Sequence, residues 1–352
     1  MVLNWFRKKP AALRQYHSVI FEVTNQCNLD CSYCYNVWNG SDYPRGQLDT
    51  RATCELMGRI VDGTGCRLLT LTGGEPLLRQ DLEQLVAHAA DLGVSCNLIT
   101  NGTLLTQGRA GRLVEAGVGL FETPLLGADR RLAMELHGRD VLSSTQEAIV
   151  TIVEAGGAVV TAFVATRRNI DSVQDAVELS FALGASGMMF NRFNPGGRGG
   201  ANAEELMPTP QQLERALSAL DQFVGKTGFP VNCSIPIHPC ILETSSFTQL
   251  NFGFCAAATD RAYYTFAPLG NLRMCNHSPA ILGNIFEEDF QTMTTPDRTR
   301  FFLEPVPEMC RGCRRLDQCR CGCRAGAESC YGDLGRPDPY LARYGRGPIT
   351  EV

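Results

Sequence analysis

The chain has 352 residues, with 37 acidic against 32 basic side chains and a formal net charge of −5. That balance gives no electrostatic reason to expect nucleic acid or an anionic membrane as partner. No stretch is long and apolar enough to be a membrane span, and the apolar run over residues 18–23 is interrupted by Glu22 and too short for a signal peptide, so a cytoplasmic location is expected.

In a reducing compartment sixteen cysteines are not a disulfide framework, and a chain this long needs no covalent staples. Most of them cluster in two regions, which argues for shared metal ligation. Residues 1–16 read as a short lead-in. Residues 17–24, rich in β-branched and aromatic side chains, read as a first strand, and strand-like segments return at 68–71, 95–99, 119–125, 158–165 and 188–193. Helical patterns lie between them. Leu85, Val86, Ala89 and Leu92 share one face of a helix over 83–92, and Ala148, Ile149, Ile152 and Val153 one over 144–155. Ser144 with Glu147 reads as a capping box for the latter, and Thr209-Pro210 with Gln212 starts a further helix. Six β-then-α units predict parallel strands covered by helices, an α/β partial barrel open on one side, with its site at the carboxyl ends of the strands. The glycine-rich segment 195–200 reads as a flexible loop. The rhythm stops near Thr227-Gly228-Phe229-Pro230, which divides the chain into a barrel over 17–228 and a cysteine-rich region over 229–352.

Two motifs follow the first two strands. Cys27, Cys31 and Cys34 have a C-x3-C-x2-C spacing, with Tyr33 before the third. Three thiolates on one short loop hold three irons of a cubane and leave the fourth open to a small molecule; the competing reading is zinc or structural thiols. Gly73, Gly74, Glu75 and Pro76 close strand two, where glycines let a ligand approach the backbone and a carboxylate can accept from an ammonium. Together these motifs resemble the radical S-adenosylmethionine (SAM) enzymes, whose fold is a (β/α)6 partial barrel. The resemblance implies a [4Fe-4S] cluster that binds SAM at its open iron and cleaves it reductively to a 5′-deoxyadenosyl radical. It also implies that the Gly73–Pro76 motif holds the SAM amino group mainly by backbone carbonyls and that Tyr33 sits against the adenine. Strand four ends in Glu122-Thr123-Pro124, a departure from the family pattern that leaves the ribose contact open. Thr166 and Arg192 are candidates for ribose and SAM carboxylate, a guanidinium being suited to the latter. His137-Gly138-Arg139 reads as structural.

The second half carries Cys255, Cys275, Cys310, Cys313, Cys319, Cys323 and Cys330, with Gly270 before Cys275. This is similar to the SPASM domain of radical SAM peptide and sulfatase maturases, and implies two auxiliary [4Fe-4S] clusters. Carried over by position, Cys255, Cys275 and Cys323 ligate the first and Cys310, Cys313, Cys319 and Cys330 the second. The gap from Cys323 to Cys330 is short for the family, and Cys321 is an extra thiol. The fourth position of the first cluster is open between Cys240, Cys321 and substrate, with Cys240 favoured. Cys54, Cys66, Cys96 and Cys233 read as small buried hydrophobes.

The resemblance implies hydrogen abstraction from a ribosomally made peptide, giving a crosslink or an oxidised side chain. A flavodoxin or ferredoxin would serve as reductant, and a separate recognition protein as possible helper. A tetrapyrrole or other small metabolite is the alternative substrate, and a non-catalytic electron carrier the alternative of another class.

Overall fold

In a computed structural model of the chain, residues 18–39, 43–259 and 261–350 are described; the expected lead-in over 1–16 lies outside them. Six strands are parallel neighbours in chain order: β1 (Ser18–Thr24), β2 (Leu68–Gly73), β3 (Ser95–Ile99), β4 (Val118–Pro124), β5 (Val159–Ala165) and β6 (Gly187–Arg192). Helices α1 (Thr50–Thr64), α2 (Leu82–Asp91), α3 (Gln107–Ala116), α4 (Arg130–His137), α5 (Leu142–Glu154), α6 (Val173–Ala182), α7 (Gly197–Ala201), α8 (Ala203–Leu206) and α9 (Pro210–Thr227) form the crossovers. The mixed α/β architecture expected from the strand count is present, and the expected elements differ at their ends by one or two residues, as fraying termini do.

The strands are built to be covered on both faces. In β1, Val19, Phe21 and Val23 are buried on one side, and Glu22 and Thr24 on the other. Phe163 of β5 stacks on Phe190 of β6 at 6.0 Å. Outside, Leu56, Met57 and Ile60 of α1 and Leu213, Leu217 and Leu220 of α9 turn inward.

Local signals decide the helix ends. Thr209 and Gln212 form the expected capping box with Pro210 in the first turn, and Gly228 closes α9 in the left-handed region at φ 70°. The box expected at Ser144 and Glu147 does not form. The helix begins two residues earlier, so Ser144 lies inside its first turn and its hydroxyl donates to the Val141 carbonyl. Within the expected flexible loop over 195–200 a short helix begins, Gly197–Ala201.

The sheet does not stop at residue 228. Beyond β6 it continues through β7 (Val231–Cys233) and β8 (Asn251–Phe252); beyond β1 it continues through β9 (Thr265–Phe266), β10 (Asn271–Arg273) and β11 (Ile281–Asn284). The cysteine-rich half therefore returns to both edges of the barrel. A buried ion pair locks each return. Arg273 of β10 reaches Glu22 of β1, and Asp338 takes the Arg192 guanidinium of β6 at 2.6 Å with both side chains fully buried. Buried pairs of this kind specify an arrangement, because removing one partner strands the other charge. No helix among the described residues is long and apolar enough to cross a membrane.

Candidate active site

The loop carrying Cys27, Cys31 and Cys34 leaves the carboxyl end of β1 and is gripped through its backbone. Ser32 N–H donates to Leu136 O at 2.8 Å, and Gly199 N–H to Cys34 O at 2.9 Å. Asn202 Nδ2 donates to Ser32 O at 2.8 Å and Arg198 to Cys31 O at 3.2 Å. The glycines of α7 make this grip possible. A Cβ on Gly199 would stand 2.8 Å from Tyr33 O, and one on Gly197, at φ 48°, would overlap Asn36 O. Sequence reading missed this role, although a glycine run at the end of a barrel strand was a signal of close backbone approach.

The glycine motif after β2 grips the other side of the loop. Gly74 N–H donates to Thr24 O at 2.8 Å and Glu75 N–H to Gln26 O at 2.7 Å. Glu75 is fully buried. One carboxylate oxygen accepts from Leu77 N–H at 2.9 Å and the Thr100 hydroxyl at 2.6 Å; the other accepts from Asn101 N–H at 2.7 Å. These bonds tie the carboxylate to the ends of β2 and β3. Pro76 is buried beside it, while Gly74 keeps partial exposure. Asn101 also reaches the cysteine loop: its amide donates to Asn28 Oδ1 at 2.8 Å.

Burial pushes the three thiols up, Cys31 to about 12, and the charges of neighbouring thiols push Cys27 and Cys31 further. They are therefore within charge range of one another. Backbone N–H groups of Leu29 and Asn28 point at Cys27, and those of Asn36 with the Asn39 amide at Cys34. Sulfurs that repel one another and are ringed by N–H donors suit a cationic iron body, which relieves the repulsion while the donors support thiolate charge. The residues present fit an iron–sulfur cluster.

His137 joins this group without having been expected there. Its Nδ1 lies 3.4 Å from Cys31 Sγ and 3.3 Å from the Tyr33 hydroxyl, and the Tyr33 and His137 rings meet edge to face. The segment is structural as well, since Gly138 ends α4 at φ 75°. The candidates Thr166 and Arg192 are both engaged within the protein. Thr166 is fully buried and its hydroxyl donates to Asn169 Oδ1 at 2.7 Å. Arg192 is turned away to Asp338 and to Pro236 O, 2.7 Å from Nε.

Glu122 lies at the end of β4 with partial exposure, although protein surrounds it, as expected of a side chain lining an open barrel. Burial raises its pKa to about 7, and its charge reaches Tyr35. A carboxyl raised in the folded state lowers stability as pH climbs from the ordinary carboxylate range to about 7, because only the unfolded chain ionises it freely. Glu122→Gln is therefore expected to raise the thermal midpoint of the metal-free protein at about pH 8 and to leave it unchanged at about pH 4. Melting curves at the two pH values check this; an equal effect at both would show that Glu122 is not held neutral.

The C-terminal thiols form two groups. Cys255, Cys275 and Cys323 are within charge range of one another, and the Asn194 amide lies 3.2 Å from Cys323 Sγ. The second group lines an apolar cavity and comprises Cys310, Cys313, Cys319, Cys321 and Cys240. Cys240, favoured above for the first group, lines the cavity of the second. Cys330 borders a different groove, with Met207 and Arg343. Of the four thiols expected to be only small buried groups, Cys66, Cys96 and Cys233 are buried and Cys54 is half-buried. Among the described residues no three His, Cys, Asp or Glu side chains converge on a single metal ion.

A parallel partial barrel whose first strand delivers three mutually close thiols to its open end defines the class. Residues 21–180 match the Radical SAM superfamily, so this stretch carries a radical SAM domain. Among solved structures it is similar to Streptococcus suis SuiB bound to precursor peptide SuiA, at 16% identity and TM-score 0.68 over 89% of this chain and 73% of that one. It is also similar to SuiB bound to S-adenosylmethionine, at 14% identity and TM-score 0.65 over 89% and 72%. A third is anSMEcpe with bound AdoMet and Cp18Cys peptide, at 18% identity and TM-score 0.69 over 94% and 95%. At these identities the likeness is one of fold.

Proposed function

We propose that the chain is a radical SAM enzyme of the SPASM type that modifies a ribosomally made peptide, forming a crosslink or oxidising a side chain. The observation that carries the chemistry is the Cys27, Cys31 and Cys34 loop, clamped by the Gly73–Pro76 motif and α7 at the barrel's open end. Held there by Cys27, Cys31 and Cys34, a [4Fe-4S] cluster would supply the electron for reductive cleavage of SAM, whose deoxyadenosyl radical product would take a hydrogen atom from an unactivated carbon. The chain's own residues orient and shelter that event. The partly exposed Gly74 backbone would face the SAM amino group, Tyr33 braced on His137 would set the adenine side, and Glu122 gives the barrel a carboxyl whose ionisation a cationic group would favour.

Peptide as substrate is supported by the fold shared with SuiB and anSMEcpe, both of which hold peptides in their structures. The two C-terminal thiol groups are the proposed sites of two auxiliary clusters, which accept the electron left when the substrate radical is oxidised. A flavodoxin- or ferredoxin-like protein is the proposed reductant, and a separate recognition protein the proposed means of presenting the peptide. The test is anaerobic incubation of the reconstituted protein with reductant, SAM and short peptides read from neighbouring frames. A peptide that loses hydrogen mass in step with 5′-deoxyadenosine release supports the proposal. Release of 5′-deoxyadenosine with hydrogen lost only from a small metabolite would replace the peptide reading.

A further inference from the structure

Seven cysteines at SPASM-like spacing assign Cys330 as the last ligand of the second auxiliary cluster, but the fold carries Cys330 elsewhere. Cys323 and Cys330 stand at opposite ends of the helix Arg324–Tyr331, about 10 Å apart at 1.5 Å per residue. The cavity that Cys310, Cys313 and Cys319 share does not include Cys330, and the groove that Cys330 borders contains no second cysteine.

The vacancy in the expected set is filled from the other direction. Cys240 lines the same cavity as Cys310, Cys313 and Cys319. Its placement is built in. Arg192 of β6 holds Pro236 O, and the His238 carbonyl accepts from Ile241 N–H at 2.9 Å and Leu242 N–H at 3.0 Å. A tight turn thus presents Cys240 from a segment anchored to the barrel. The Arg346 backbone N–H points at the Cys240 sulfur, and the charge of Cys313 reaches it. The chain's end closes the cavity, with Arg314 N–H donating to Ile349 O at 3.0 Å.

Resting on the auxiliary-cluster reading above, we infer that the second cluster is held by Cys240, Cys310, Cys313 and Cys319, and that Cys330 is not a ligand. Cys321 is the fifth thiol of the cavity, and it is spoken for. It is within charge range of Cys310, a thiol already counted in the set. Its direction is also set locally, because Arg320 and Cys321 both adopt left-handed backbone, at φ 52° and 62°. The assignment has a consequence for the first group. With Cys240 engaged at the second, Cys255, Cys275 and Cys323 are left as three thiols beside Asn194, so the first cluster keeps an iron to which no cysteine of this set is committed.

The test uses the full chain with Cys27, Cys31 and Cys34 replaced by Ala, reconstituted anaerobically with iron and sulfide. This background should hold about eight irons, at about four per cubane, and should give two auxiliary signals by electron paramagnetic resonance after reduction. Adding Cys330→Ala or Cys321→Ala is expected to leave iron and both signals unchanged. Cys240→Ala is expected to remove or shift one signal, with iron falling toward about four. Cys240→Ser, which keeps an oxygen donor and the volume, is expected to retain iron with that one signal shifted, and this separates lost ligation from lost folding. Unchanged signals in both Cys240 variants, or loss of a signal on removing Cys330 or Cys321, would overturn the assignment. A background that binds no iron would overturn the auxiliary-cluster reading itself.

Discussion

Replacing Cys27, Cys31 and Cys34 with Ala is expected to reduce SAM cleavage to background while leaving the chain folded. No other described cysteine lies on this loop, so no substitute ligand is at hand, and without the cluster there is no electron source at the barrel mouth. The fold should survive because the loop is held by its backbone: Ser32 to Leu136, Gly199 to Cys34 and Asn202 to Ser32. The three residues lie on an exposed to half-buried loop and not in the main core, so losing their sulfurs opens no core cavity. Reconstituted variant and wild type are compared anaerobically for 5′-deoxyadenosine, methionine and iron, with a loss of about four irons expected. Persistent cleavage in the variant would sink the assignment of the radical site.

Gly74→Ala is expected to have the next largest effect. A Cβ there would overlap Gln26 O and stand 3.0 Å from Asn25 O. Neither backbone can yield cheaply, because Glu75 N–H is bonded to Gln26 O and Gly74 N–H to Thr24 O across the same gap. Overpacking of this kind costs about 1–3 kcal/mol. The kinetic loss should be larger, since a displacement of about 1 Å at a reacting group can cost about 100-fold in rate. The control is Gly58→Ala in α1, where a new Cβ meets nothing within 4 Å and helix propensity favours Ala by about 1 kcal/mol. Thermal melts and 5′-deoxyadenosine rates separate the two. Gly74→Ala with wild-type rate and midpoint would show that the two loops do not depend on their close contact.

Much of this protein was legible in one dimension because its signals are local. The β-branched runs and helical faces of the barrel depend on near neighbours, and so does the Thr209 cap. The cysteine loop and the glycine motif are contiguous, so their residue types and spacings survive translation into structure. Ser144 shows the limit even of a local signal: Leu142 was already buried in the helix, and packing moved the start past the cap.

What the linear chain could not display is which distant segments meet. His137 reaches Tyr33 and Cys31 across more than a hundred residues, and nothing near His137 marks it. Arg192 had the chemistry to bind a carboxylate, and the fold supplied one from Asp338, 146 residues later. Cysteine spacing counted enough thiols for two auxiliary clusters and grouped Cys330 with thiols that line a cavity Cys330 does not border. The sequence by itself determined the parallel barrel, the radical SAM loop and the clustering of thiols, because those rest on periodicity and short spacing. Only the tertiary structure decided that Cys240 enters the second thiol cavity and that Cys330 stays out. Long-range packing sets the direction of a helix axis and of a loop, and a sulfur can ligate only where that direction points it.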